Sequence, residues 1–218
     1  MNDPKWIDIS QPLHAGIAHW PGDTPFSYEL TFSKEETGSV NIGKITTSLH
    51  TGTHVDAPFH FQNDGAKILD LDINVFIGPC LVINAAGHKQ ISKEFLQRHP
   101  LEGAQRILFK TVSNGTPDIF PDEVACLTIE AVDYLQEKEI VLIGVDVPSV
   151  DMLDSKNLPI HNQLHQHGIY ILENIVLDNV ASGAYELAAL PLPIKGADGS
   201  PVRAAIRKLV NGERGVIG

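Results

Sequence analysis

Apolar residues in this chain fall mainly in short runs and in alternation, and only rarely at helical spacing. That pattern predicts many strands and few helices. Near the start, Trp6 to Ile9 reads as a short strand closed by Pro12, and His19 to Asp23 reads as a turn with Trp20 at its lip. Tyr28 to Ser33 sets Tyr, Leu and Phe against Glu, Thr and Ser, the alternation of a half-exposed strand. Ile42 to Leu49 continues in the same manner directly into His50.

The middle alternates strand and helix. Cys80 to Asn84 and Arg106 to Thr111 read as buried strands, with a short helix from Ser92 to Arg98 between them and Ser92 as its cap. Thr128 opens a helix through Lys138 whose apolar side is Ala131, Val132 and Leu135; with Ala131 at its third position, the capping box is incomplete. Ile140 to Val145 is the most apolar strand and is expected at the centre, with Asp146 at its carboxyl end, where open α/β sheets commonly build sites. Leu158 to Gly168 reads as a polar loop holding His161, His165 and His167. Tyr170 to Val176 is strand-like, Tyr185 to Ile194 is a strand interrupted by Pro191 and Pro193, Asp198-Gly199 is a turn, and Val202 to Leu209 is a strand or short helix. With no internal repeat and no low-complexity linker, the pattern predicts a single α/β domain over residues 1–218 with a mixed sheet.

Composition narrows the partners. The net charge of -11 comes with no basic stripe, which argues against nucleic acid and anionic membranes. No stretch approaches the ~20 apolar residues of a membrane span, and the first residues lack the pattern of a secretion signal. Cys80 and Cys126 lie in or beside apolar segments and form no CxxC pair, so they are expected to be core thiols of a cytoplasmic protein.

The chemistry is concentrated in His50-Thr51-Gly52-Thr53-His54-Val55-Asp56-Ala57-Pro58-Phe59-His60. His50, His54, Asp56 and His60 are separated by even intervals, so an extended backbone would turn all four to one face. Gly52 and Pro58 argue against a long regular ladder and favour a bent backbone. Imidazole nitrogens and a carboxylate on one face suit a metal ion, with His50, His54 and Asp56 as first-choice ligands; zinc fits, and manganese, iron and cobalt fit by residue type as well. The HExxH pattern is excluded because Thr51 follows His50. Thr51 and Thr53 are expected either to support the ligands or to be structural, and His165 and His167 to be surface residues. Glu173, inside an apolar strand, needs a cationic partner. Phe26 and Phe59 could line an apolar wall or belong to the core.

The run matches the HxGTHxDxPxH signature, and the chain resembles the metal-dependent cyclase/hydrolase family. The likeness extends through Ile7 to Leu13, Trp20 to Asp23, Gly144-Val145-Asp146, His161, Gly168-Ile169, Leu172 to Asn174 and Pro201 to Ala204. It implies a swivelling β/β/α fold, a homodimer and a centre of two divalent ions, zinc by preference with manganese as the alternative. His50, His54 and Asp56 would hold one ion. Asp56 would bridge to a second, held also by His161 and Glu173, and His60 would transfer protons beside the pair. Members of the family include arylformamidases that hydrolyse N-formyl-L-kynurenine to L-kynurenine and formate in tryptophan degradation; others open isatin or related cyclic amides. The expected substrate is therefore a small aromatic formamide; Trp20 either walls in its ring or is a packed core or interface residue. A zinc-stabilised binding protein without catalysis is the alternative from another class.

Overall fold

A computed structural model describes residues 4–101, 103–111 and 116–209. Its strands are β1 (Ile7–Asp8), β2 (Ser27–Phe32), β3 (Ile42–Thr46), β4 (His54–Asp56), β5 (Ile77–Asn84), β6 (Gln90–Ile91), β7 (Arg106–Lys110), β8 (Cys126–Leu127), β9 (Leu142–Val145), β10 (Tyr170–Glu173), β11 (Gly183–Ala188), β12 (Gly199–Pro201) and β13 (Ala205–Lys208). Four helices join them: α1 (Lys34–Thr37), α2 (Lys93–Leu96), α3 (Ile129–Glu137) and α4 (Pro159–Gln166).

Nine strands form one sheet in the order β1-β13-β11-β5-β7-β9-β10-β4-β12. The inner steps β5-β7, β7-β9 and β9-β10 are parallel, and the other pairings are antiparallel. This is the mixed α/β sheet expected. The parallel strands are near-continuous apolar segments because both of their faces are covered. Ile107, Phe109, Ile143 and Ile171 pack under α3 and α4 with Val132, Leu135 and Leu164, while the alternate residues Leu108, Leu142 and Leu172 enter a second core with Val55, Phe76 and Leu187. Gly144 leaves room for its cross-strand neighbour: a Cβ there would lie 2.5 Å from Leu108 Cδ2.

Several boundaries differ from the sequence expectation, each for a physical reason. The segment around His161 is the helix α4 and not a loop. Pro159 occupies its first turn, where a missing N–H costs nothing, and the Asp151 carboxylate accepts from the Ile160 and His161 backbone N–H groups at 3.0 Å each. That cap comes from outside the segment, so no local signal announces it. The strand expected to run into His50 ends at Thr46, and residues 50–53 form a turn with Gly52 at φ +67°. Gly199 belongs to β12 and pairs with Asp56, rather than closing a simple turn with Asp198. The strand expected from Tyr185 runs over Gly183–Ala188 and ends before Pro191, and the last apolar segment is the strand β13. β2 is exposed along its whole length; with β3 it forms a separate hairpin that leaves Tyr28, Leu30, Phe32, Ile42 and Ile45 in solvent. Cys80 and Cys126 are buried free thiols, as expected. Among the described residues no helix is long and apolar enough to cross a membrane.

The Thr128 hydroxyl accepts from the Ala131 N–H at 3.2 Å, and Leu135 is fully buried against the sheet. Thr128→Ala is expected to cost about 1 kcal/mol of unfolding free energy. Leu135→Ala should cost about 2–5 kcal/mol through lost burial and the cavity left behind. Urea denaturation of both variants checks this order.

Candidate metal centre

Of the eleven-residue run, only His54 and Asp56 use strand parity. They flank Val55 on β4, which turns inward to the second core and leaves both polar side chains on the opposite face. The antiparallel register with β10 places Glu173 directly across from His54. His50 approaches from the turn before β4, His60 stands in a 3-10 turn over Pro58–His60, and α4 delivers His161. All six proposed ligating or proton-transfer residues thus converge, although the backbone between 50 and 60 is not extended as the even spacing suggested.

Asp56 lies at the centre. One of its oxygens, Oδ1, is 2.9 Å from His50 Nδ1 and 3.3 Å from His54 Nε2, while Oδ2 is 3.5 Å from His161 Nε2. Glu173 faces the same rings, Oε2 at 3.4 Å from His54 Nε2 and Oε1 at 3.8 Å from His161 Nε2, and accepts from the Val150 N–H at 3.1 Å. Three sets of donors follow: His50/His54/Asp56 and Asp56/His161/Glu173, which share Asp56, and the more exposed His50/His60/Asp198, which shares His50 with the first. These clusters suit one or two metal ions.

The hydrogen bonding of two rings tests that fit. His54 Nδ1 donates to the Gly52 carbonyl at 2.8 Å and His161 Nδ1 donates to Asp151 Oδ2 at 2.7 Å. In each neutral ring the Nε2 lone pair then points toward carboxylates, which only accept. His54 Nε2 is fully buried without a hydrogen-bond partner, an orphan whose natural partner is a cation. The pairing of an imidazole to a backbone carbonyl or carboxylate on one side and an ion on the other is the arrangement that orients metal-ligating histidines. The residues present therefore fit divalent metal.

Electrostatics agree. Burial alone would push His54 and His161 down, but their carboxylate neighbours outweigh it and raise each to about 10 in the metal-free protein: Asp56 and Glu173 for His54, Asp151 first and then Asp56 and Glu173 for His161. Asp56, though buried, is held well below the usual carboxylate range by His161, His50 and His54. His60 behaves oppositely, since burial pushes it below its ordinary value and leaves it neutral near pH 7.

The cluster opens into a cavity of about 690 Å³, within the size range of small-molecule sites. Trp20 lines it, with its ring edge-on to Phe120 at 5.2 Å between centroids. Phe26 is core and Phe59 lies under the Lys67 ammonium, so neither forms the cavity wall; Phe120, Ile119 and Met152 do, and nothing in their sequence context marked them. His165 is exposed and His167 pairs with Asp133, both outside the cluster. Thr53 is structural, accepting from Gln11 N–H and donating to the Asn174 carbonyl. Thr51 Oγ1 is buried without a partner, and no contact accounts for it. Asp151 and Asp198 are the acidic residues that the sequence did not single out. Asp151 was hidden because its partners lie ten residues on, and Asp198 because its partner His50 is 148 residues away.

The sequence model of the cyclase family matches residues 7–152. The chain belongs to this metal-dependent cyclase/hydrolase family. It is 58% identical over 209 residues to a Bacillus cereus protein named kynurenine formamidase, covering 96% of this chain and all of that one. Among solved structures it is similar to one described as a potential metal-dependent hydrolase with cyclase activity, at 28% identity and TM-score 0.81, covering 94% of this chain and 98% of that one. Isatin hydrolase A from Labrenzia aggregata shares the fold, at 24% identity and TM-score 0.79 over 94% of this chain and 93% of that one.

Because His54 and His161 carry protons in the metal-free protein at neutral pH, an entering ion must displace them, and affinity should rise with pH until about 10. The stability linkage has the opposite sign without metal. Raised histidine pKa values contribute stability below about 6.5 that is lost as pH rises through about 10. Zinc titrations in buffers of different ionisation enthalpy should show proton release. Melting of the chelated protein between pH 6.5 and 10 should show the declining histidine contribution, and melting of the zinc-loaded protein should not.

Proposed function

We propose that this chain hydrolyses N-formyl-L-kynurenine to L-kynurenine and formate, as an arylformamidase of tryptophan degradation with a centre of two divalent ions. The observation that carries the reading is the shared carboxylate: Asp56 stands between a His50/His54 set and a His161/Glu173 set, at one side of a cavity lined by Trp20 and Phe120. The kynurenine formamidase name of a relative 58% identical over its full length supports the choice of substrate. The mixed nitrogen and oxygen donors favour zinc, with manganese as the alternative. A purely structural zinc site would be closed by protein ligands, whereas this cluster faces an open cavity.

His50, His54 and Asp56 would hold one ion, and Asp56, His161 and Glu173 the other. When bound, such ions polarise a carbonyl oxygen and bring the pKa of a water near neutrality. The chain's own residues do the rest. His60, lowered below its ordinary value by desolvation although its side chain is still 35% exposed, stands ready to accept a proton and deliver it to the anilide nitrogen, which leaves poorly unless protonated. Its ring lies 3.8 Å from that of His50, centroid to centroid, beside the cluster. Trp20 and Phe120 offer aromatic surface for the substrate ring. The exposed apolar face of the β2–β3 hairpin supports a homodimer, and the two buried free thiols suit the reducing cytoplasm.

His60→Ala is expected to keep its metal content while the hydrolysis rate falls about 10²–10⁴-fold. Metal loss would make His60 a ligand instead. Asp56→Asn should lose metal and activity together, as read by elemental analysis. Offering N-formylkynurenine and isatin to the same preparation decides the substrate: turnover of isatin alone would overturn the reading. Chelation should abolish activity and added zinc or manganese restore it.

A further inference from the structure

Like His161, and unlike His54, His50 has carboxylates facing both ring nitrogens. Nδ1 faces Asp56 Oδ1 at 2.9 Å, and Nε2 faces Asp198 Oδ2, also at 2.9 Å. Only the Asp56 side is shared with His54 and His161, so Nδ1 is the nitrogen turned into the cluster and Nε2 the one turned out of it. The same Asp198 oxygen lies 3.5 Å from His60 Nδ1, and the His50 and His60 rings stack at 3.8 Å with 30° between their planes. One carboxylate oxygen therefore touches both a candidate ligand and the candidate proton carrier.

The backbone builds this placement deliberately. The Asp198 carbonyl accepts from the Ala57 N–H at 2.9 Å, and the next residue, Gly199, pairs with Asp56 across β12 and β4. A Cβ on Gly199 would sit 2.9 Å from His50 Cε1 and 3.0 Å from the Val55 carbonyl. The absence of a side chain there lets the His50 ring lie against the strand, where Asp198 can reach it. Among the described residues, the side-chain partners of Asp198 are these two imidazoles.

We propose that Asp198 is a positioning residue of this centre: it holds His50 in the Nε2–H form with Nδ1 presented to the ion, and restrains His60 beside it. The proposal rests on the metal-centre reading of the preceding subsection. A ring whose outer N–H is held by a carboxylate keeps its orientation and is the better donor, and loss of such a partner typically weakens metal binding or activity about 10–100-fold.

The test compares Asp198→Asn and Asp198→Ala with the unaltered protein. Zinc affinity is measured by chelator competition, zinc stoichiometry at saturation by elemental analysis, and exchange of the His50 Nε2–H with water by nitrogen-15 imidazole spectra of the zinc-loaded protein. If the unaltered chain binds no zinc or manganese, the metal-centre reading itself fails. If it binds, the expected result is affinity weakened about 10–100-fold in Asp198→Ala, less in Asp198→Asn, whose amide oxygen can still accept. Stoichiometry should be unchanged, and the His50 Nε2–H, no longer held by a carboxylate, should exchange faster with water in Asp198→Ala. With the formamide at saturating zinc, kcat should fall while KM holds. Affinity within twofold of the unaltered protein in both variants overturns the proposal, as does an unchanged rate of exchange of the His50 Nε2–H with water. Loss of a full metal equivalent at saturating zinc also overturns it, since Asp198 would then be a ligand. Should Asp198→Ala fail to fold, the affinity, stoichiometry and KM-against-kcat split of Asp198→Asn decide alone.

Discussion

Two buried carboxylates facing three imidazoles set the terms for the rest of this molecule. Asp56 and Glu173 are almost completely removed from solvent, and a buried anion without a positive partner is strongly destabilising. The protein meets that demand from three directions, with His54 across the β4–β10 register, His161 from α4 and His50 from the preceding turn. In the metal-free state the partner is the proton, which is why His54 and His161 rise to about 10 despite burial. A divalent ion would meet the same demand, and would also give a partner to the His54 nitrogen that has no hydrogen bond.

The sheet exists in the form needed to make this arrangement rigid. Its parallel centre, packed on both faces, gives β10 a fixed position, and β10 in turn aligns β4. β4 is only three residues long, yet it is held between β10 and β12 on both sides. Val55 anchors it in one core while His54 and Asp56 project to the other face. A second circle of acceptors, Gly52 O, Asp151 and Asp198, then settles which nitrogen each ring turns inward.

The family and much of the centre were legible because ligands are chemically expensive residues in apolar company. Glu173 inside Tyr170–Glu173 stood out for that reason, and Gly52 and Pro58 foretold the bent backbone around His54. The interior strands were equally legible, since segments such as Leu142–Val145 must be buried on both faces. What failed to show was remote. The helix at His161 takes its cap from Asp151, and the exposure of Tyr28, Leu30 and Phe32 depends on what the rest of the chain leaves uncovered. The even spacing of His50 to His60 pointed to residues that the fold does bring together, but extended-strand parity explains only His54 and Asp56.

By itself, the sequence determined the chemical inventory of this protein: which side chains could hold metal, which segments had to be buried, and which partners its charge disfavoured. These follow from local composition and spacing, where each residue's solvation cost can be weighed alone. Only the tertiary structure decided that Asp56 lies between two donor sets, that Trp20 and Phe120 share the cavity with them, and that Asp198 reaches His50 and His60. The last of those relations joins residues 148 positions apart, and all of them depend on strand register and helix placement, which no local pattern encodes.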